Sequence, residues 1–169
     1  MANERYTRTN QKLHFTSLAL ERWQQARTQG DSTLQAAERE TCLLHLYGAL
    51  LGLCHEVGGF YRLAGAEGGA VEVILKRPLL QASPSPELAE LLELSEHSDT
   101  WLARLLRSHA ALFLPLRPAP KVRQDVTQPL IEAVTLEPAS DELSLEDVQG
   151  WRGQLRELVL RFRESMNEC

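Results

Sequence analysis

The sequence predicts an all-α fold, a single four-helix-bundle-like domain with a long proline-rich connection before its last helix. Three observations carry this. Four long segments place apolar residues at helical spacing. Helix start and stop residues flank those segments. No clear strand alternation of apolar and polar residues appears. Four amphipathic helices bury their stripes most simply against one another. The chain has 169 residues, of which 43% are hydrophobic and 24% charged. A chain of that size buries roughly 70% of its unfolded surface in one core.

The first helix is predicted over residues 3–29. Tyr6, Leu13, Leu20 and Trp23 mark its face, widened by Phe15, Leu18 and Ala19. Gly30 is placed to end it, as a C′ glycine does. The second helix is predicted over 32–64, after Asp31 or Ser32 as N-cap. Leu46, Leu50, Leu53, Val57 and Phe60 form its stripe. Leu43, Leu44, Tyr47 and Leu51 make it apolar on nearly all sides, which predicts the central position. Gly48 and Gly52, four apart, invite close approach of a neighbour.

Five of the ten glycines then fall within residues 58–69, so a turn is expected there. Residues 71–75 suit either a short strand or one helical turn. Pro78, Pro84 and Pro86 are expected to end whatever forms. The third helix is predicted over 86–113, starting from Ser85 with Pro86 at its first position. Ser95 and Ser98 interrupt its leucine stripe, which predicts a kink or split near His97. Pro115, Pro118, Pro120, Pro129 and Pro138 exclude a long helix over the 115–140 connection. Ser144, with Asp147 three residues on, begins the last helix over 145–167. Its stripe is Leu145, Val148, Trp151, Leu155, Leu158, Phe162 and Met166.

Composition removes several classes of function. The net charge of −5 speaks against bulk nucleic-acid binding, which needs phosphate-neutralising side chains. Cys42 and Cys54 lie about 18 Å apart along one predicted helix, too far to bridge. With Cys169 they read as thiols of a reducing compartment, so a cytoplasmic location is expected. No apolar run follows the charges of the first residues, so no signal peptide is expected. The greasiest stretch, 43–54, is shorter than a membrane span and holds His45.

The stretch from Asn3 through Arg5, Tyr6 and Asn10 to Leu13 resembles the start of a family of small, pseudomonad-type (gammaproteobacterial) proteins of unknown function. Residues 43–66, with Tyr47, Gly58 and Tyr61, are similar to it too. The resemblance covers most of the chain. It implies an uncharacterised bacterial helical protein and supplies no mechanism.

Three groups of residues stand out as candidate sites. Glu38, Cys42 and His45 share one face of the second helix and form a partial metal-ligand set. One face of one helix offers three ligands, whereas a structural zinc site takes four. Cys42 and His45 therefore read as half-buried packing residues, and neither a metal nor another cofactor is expected. The glycine run 65–69 lacks the Gly-Lys-Ser/Thr ending of a phosphate loop, and Glu67 opposes phosphate. Arg104 and His109 have the spacing of the Arg-x4-6-His motif, which resembles that of HEPN ribonucleases. That resemblance implies a dimeric helical bundle in which Arg104 stabilises phosphoryl charge and His109 moves a proton. Leu105 stands where that family has a polar residue.

Charge is also unevenly spread. Residues 100–124 contain no acid but hold Arg104, Arg107, Arg117, Lys121 and Arg123. The acidic 137–147 stretch follows. Most of this pattern suits a solvated helix face with internal charge pairing. The functional reading is a non-catalytic interaction protein, an adaptor or regulator, in which those five basic residues are expected to form the edge of a surface for an acidic protein partner. The alternative is a ribonuclease, or another RNA-acting protein, using Arg104 and His109.

Overall fold

A computed structural model describes residues 2–115 and 143–167. The 115–140 connection therefore falls, past Pro115, outside the described residues, and Arg117, Lys121 and Arg123 with it. Seven helices and no strand occur among the described residues. They are α1 (Ala2–Gln29), α2 (Ser32–Phe60), α3 (Val71–Ile74), α4 (Arg77–Ala82), α5 (Pro86–Glu96), α6 (Trp101–Ala111) and α7 (Leu145–Asn167). None is long and apolar enough to cross a membrane.

The long α1 and α2 form a hairpin. The chain leaves α1 through Gly30, whose φ of 72° is the left-handed conformation of a C′ residue. Gly30 N–H bonds Arg27 O, and Asp31 N–H bonds Ala26 O, the two hydrogen bonds of a Schellman ending. Asp31 then caps α2, its carboxylate accepting from Leu34 N–H at 2.9 Å. Thr9, Leu13, Thr16, Leu20 and Trp23 recur at helical spacing and are all buried against α2. The buried Thr16 hydroxyl donates to Lys12 O at 2.9 Å, so its desolvation is offset.

The glycines of α2 let α1 come close. A β-carbon at Gly52 would lie 2.6 Å from Thr9 Oγ1, and one at Gly48 would lie 3.2 Å from the Lys12 side chain. The central place predicted for α2 is found: α1, α3, α5, α6 and α7 all pack on it. Leu46, Leu50, Leu53 and Val57 are fully buried there.

The second helix ends at Phe60, not at the predicted 64, because the chain turns left-handed at Arg62, with φ 54°. The third helix divides into α5 and α6 at the split expected near His97. Thr100 accepts from Ala103 N–H at 3.2 Å and so starts a new helix, while its hydroxyl donates to the carbonyls of Leu94 and His97. One side chain thus serves both the end of α5 and the start of α6. Residues 71–74 are a helical turn, and Pro78 lies in the first turn of α4 instead of stopping it.

The last helix follows its pattern closely. Ser144 and Asp147 form the reciprocal capping box: Asp147 N–H bonds Ser144 Oγ at 3.0 Å and Ser144 N–H bonds Asp147 Oδ2 at 3.2 Å. All seven apolar positions of its predicted stripe are buried. Arg163 of α7 reaches the buried Glu56 of α2 through two bonds of 2.8 Å. The same guanidinium donates to Asn10 Oδ1 and Tyr6 O of α1. One arginine therefore joins three helices.

Candidate functional site

Two places among the described residues lie on the central helix and combine polar side chains with accessible surface. The first lies where α3 and α6 meet the middle of α2. The Tyr47 ring stacks flat on His109, with centroids 3.7 Å apart and planes 6° from parallel. His109 in turn meets Phe113 edge-on at 5.3 Å. The Tyr47 hydroxyl donates to Glu72 Oε2 at 2.7 Å and accepts from Val71 N–H at 3.0 Å. That hydroxyl thereby anchors the start of α3, while the ring carries α6.

The electrostatics follow from this packing. Burial, then the hydrogen bond to Glu72, pushes the Tyr47 phenol up to about 12. Burial holds the His109 imidazole below its ordinary value, opposed by the negative Glu72. A phenol titrating near pH 12 is therefore expected in an ultraviolet absorbance titration, and Tyr47→Phe should remove it. Because the folded value lies above the ordinary phenol value of about 10, the neutral hydroxyl stabilises the fold fully below that pH. The contribution is lost as pH rises through the folded value. A tyrosine titration with every phenol near its ordinary value would contradict this geometry.

The structure separates the two residues of the ribonuclease-like motif. Five residues of helix put Arg104 and His109 about 140° apart around α6. Arg104 faces α7, with its guanidinium 3.5 Å from Asp147 and 5.4 Å from the centre of the Trp151 ring. His109 faces α2. Within one chain the two do not converge on a shared phosphodiester. Of the predicted basic edge, Arg104 is thus paired to an acid of the 137–147 stretch. Arg107 is exposed and donates to Ser98 O at 3.0 Å.

The Glu38, Cys42 and His45 group is dispersed in its bonding. Glu38 is buried and meets Arg22 Nε at 3.1 Å. Cys42 is fully buried, and burial with the Glu38 charge raises its thiol to about 12. The His45 ring tilts against Phe15 at 5.2 Å. Burial first, then Lys12 and Arg8, holds it below its ordinary value. No group of three or more His, Cys, Asp and Glu side chains among the described residues is placed to hold a metal.

The second place includes the glycine run 65–69, which the sequence marks as a turn and not as a phosphate loop. A cleft of about 870 Å³ opens at the C-terminal end of α2. Gly58, Gly59, Gly65 and Gly68 line it, with His55, Arg62 and Glu67 supplying polar groups. His55 Nε2 lies 2.9 Å from Gly68 O, which ties the glycine loop to α2. The expected turn is therefore an ordered wall. The glycine cluster beside His55 was the available signal, but Arg62 carries no mark of its conformation.

These features define a class: an all-α bundle with two accessible polar places on its central helix. The particular family is the family of unknown function DUF6586, to which the chain belongs, with residues 1–169 matched. No curated protein and no solved structure matches the chain.

Proposed function

We propose that this protein is a non-catalytic interaction protein, an adaptor or regulator, which acts through contacts at the outer end of α6. The observation that carries the proposal is the exposure of two adjacent large apolar side chains there: Phe113 is 69% and Leu114 64% accessible. Covering such side chains is worth about 1.5–3 kcal/mol each. Exposed Arg107 lies on the same helix, and the acid-free stretch continues through Arg117, Lys121 and Arg123. An apolar tip in a segment whose sequence is basic suits an acidic protein partner, which the charges steer in. The proposal includes action in the cytoplasm. Its support is that Cys42 and Cys54 are both buried and unbridged, as in a reducing compartment.

The test compares wild-type protein with a Phe113→Ser, Leu114→Ser double variant in quantitative affinity capture from native cells. Both positions are exposed, so the variant's melting temperature should match the wild type. A specific partner should be lost from the variant, and from wild type as salt rises. Identical capture by both proteins would overturn the proposal. So would RNA cleavage by purified protein that His109→Ala abolishes.

A further inference from the structure

The two long helices of the hairpin end in the same way on different residues. At the end of α1, Gly30 takes the left-handed C′ position. At the end of α2, Arg62 takes it: Arg62 N–H bonds Gly59 O and Leu63 N–H bonds Gly58 O, the pair of bonds that Gly30 and Asp31 make. A side chain at φ 54° is strained, whereas glycine adopts that conformation freely. An arginine held there stores strain that an unspecialised helix end avoids, and such strain is a pointer to function.

What the arginine gains is position. It lines the cleft, whose volume of about 870 Å³ is the size of a metabolite pocket. No ion pair or side-chain hydrogen bond engages its guanidinium among the described residues. A guanidinium presents a planar fork that matches an oxyanion. The surroundings limit which oxyanion. Glu67 lies on the same cleft, and the C-terminal end of α2 carries the negative pole of its dipole. Both oppose a multiply charged phosphate. Leu63, Ala64 and Ala66 add apolar wall.

We infer that this cleft is a binding site for a small monocarboxylate, with Arg62 as its anchor and the 62–69 loop as its wall. The site is independent of the α6 surface and stands whether or not that surface binds a partner.

The competing account is that Arg62 serves only the helix dipole. Arg62→Gly and Arg62→Lys separate the two. Butyrate and, separately, inorganic phosphate are titrated into full-length protein, and the amide resonances of Gly65, Gly68 and Gly69 are followed by NMR. Butyrate should shift them saturably in wild type. Both variants should bind it at least about tenfold more weakly, since neither retains the fork. Arg62→Gly should also melt about 2–4 °C higher, because the strain is relieved. Unmoved glycine resonances, or equal butyrate binding by the variants, would overturn the inference. A lower melting temperature for Arg62→Gly would assign the arginine to the fold and overturn it too. A phosphate response equal to or stronger than that of butyrate would overturn the carboxylate assignment.

Discussion

Arg163→Met is expected to cost about 3–5 kcal/mol of stability. In a chain of this size that lowers the melting temperature by roughly 10 °C. The reason is where its partner lies. The Glu56 side chain is 0% exposed and Arg163 only 15%, so removing the arginine strands a carboxylate that water cannot reach. Arg163 meets both Glu56 oxygens at 2.8 Å and lies 4.6 Å from the Tyr6 ring centre. Methionine keeps part of the packing stem and isolates the charge.

A comparison shows why burial decides the size of the effect. Arg77 makes equally short bonds to Glu96, at 2.8 and 2.6 Å, but that pair lies on the surface. Arg77→Met should change the melting temperature far less, because water solvates whichever charge remains. The double variant Glu56→Met, Arg163→Met should recover most of the loss, since no buried charge is left. The measurement is thermal unfolding followed by circular dichroism. A single variant that melts with the wild type would show that Glu56 has access to water.

The fold was legible in the sequence wherever a physical requirement repeats along one helix. In α7, seven apolar residues at helical spacing and a capping pair leave one solution, and all seven positions are buried. The all-round apolar character of α2 indicated its place because only a helix with neighbours on most sides tolerates it. Ser95 and Ser98 signalled a weakness in the third helix. They did not show that Thr100 would cap a new one, because a threonine's partners depend on the backbone path. The helices α3 and α4 are too short to display a period.

The site was less legible because its contacts are long-range or conformational. Tyr47 reads as one more apolar residue of α2, and its bond to Glu72 spans 25 positions. Glu56 and Arg163 are 107 positions apart. The acidic 137–147 stretch supplies a partner for one residue of the basic segment, since Arg104 meets Asp147. The left-handed backbone of Arg62 left no trace in residue type, since a glycine there would have announced the turn and the arginine conceals it.

The wall of the cleft yields the second large effect. Gly58→Ala is expected to destabilise the protein by about 1–3 kcal/mol, against the usual sign for this change in a helix. Alanine normally gains up to about 1 kcal/mol over glycine through helix propensity. At Gly58 that gain is outweighed, because the new methyl would overlap the Ala66 methyl group. Ala66 is itself buried, and the hydrogen bond from Leu63 N–H to Gly58 O, 2.9 Å long, fastens the loop at the same point. Relief therefore requires the 62–69 loop to move away from α2, which widens the cleft. Gly150 is the control: it is helical, exposed and has open space at its β-position, so Gly150→Ala should stabilise. Ala66→Gly added to Gly58→Ala removes the colliding atom and should restore most of the lost stability, a coupling that a double-mutant cycle reads directly. If the Gly58→Ala and Ala66→Gly effects simply add, the two residues are not in contact. The loop then does not pack on α2, and the wall assigned to the cleft does not exist.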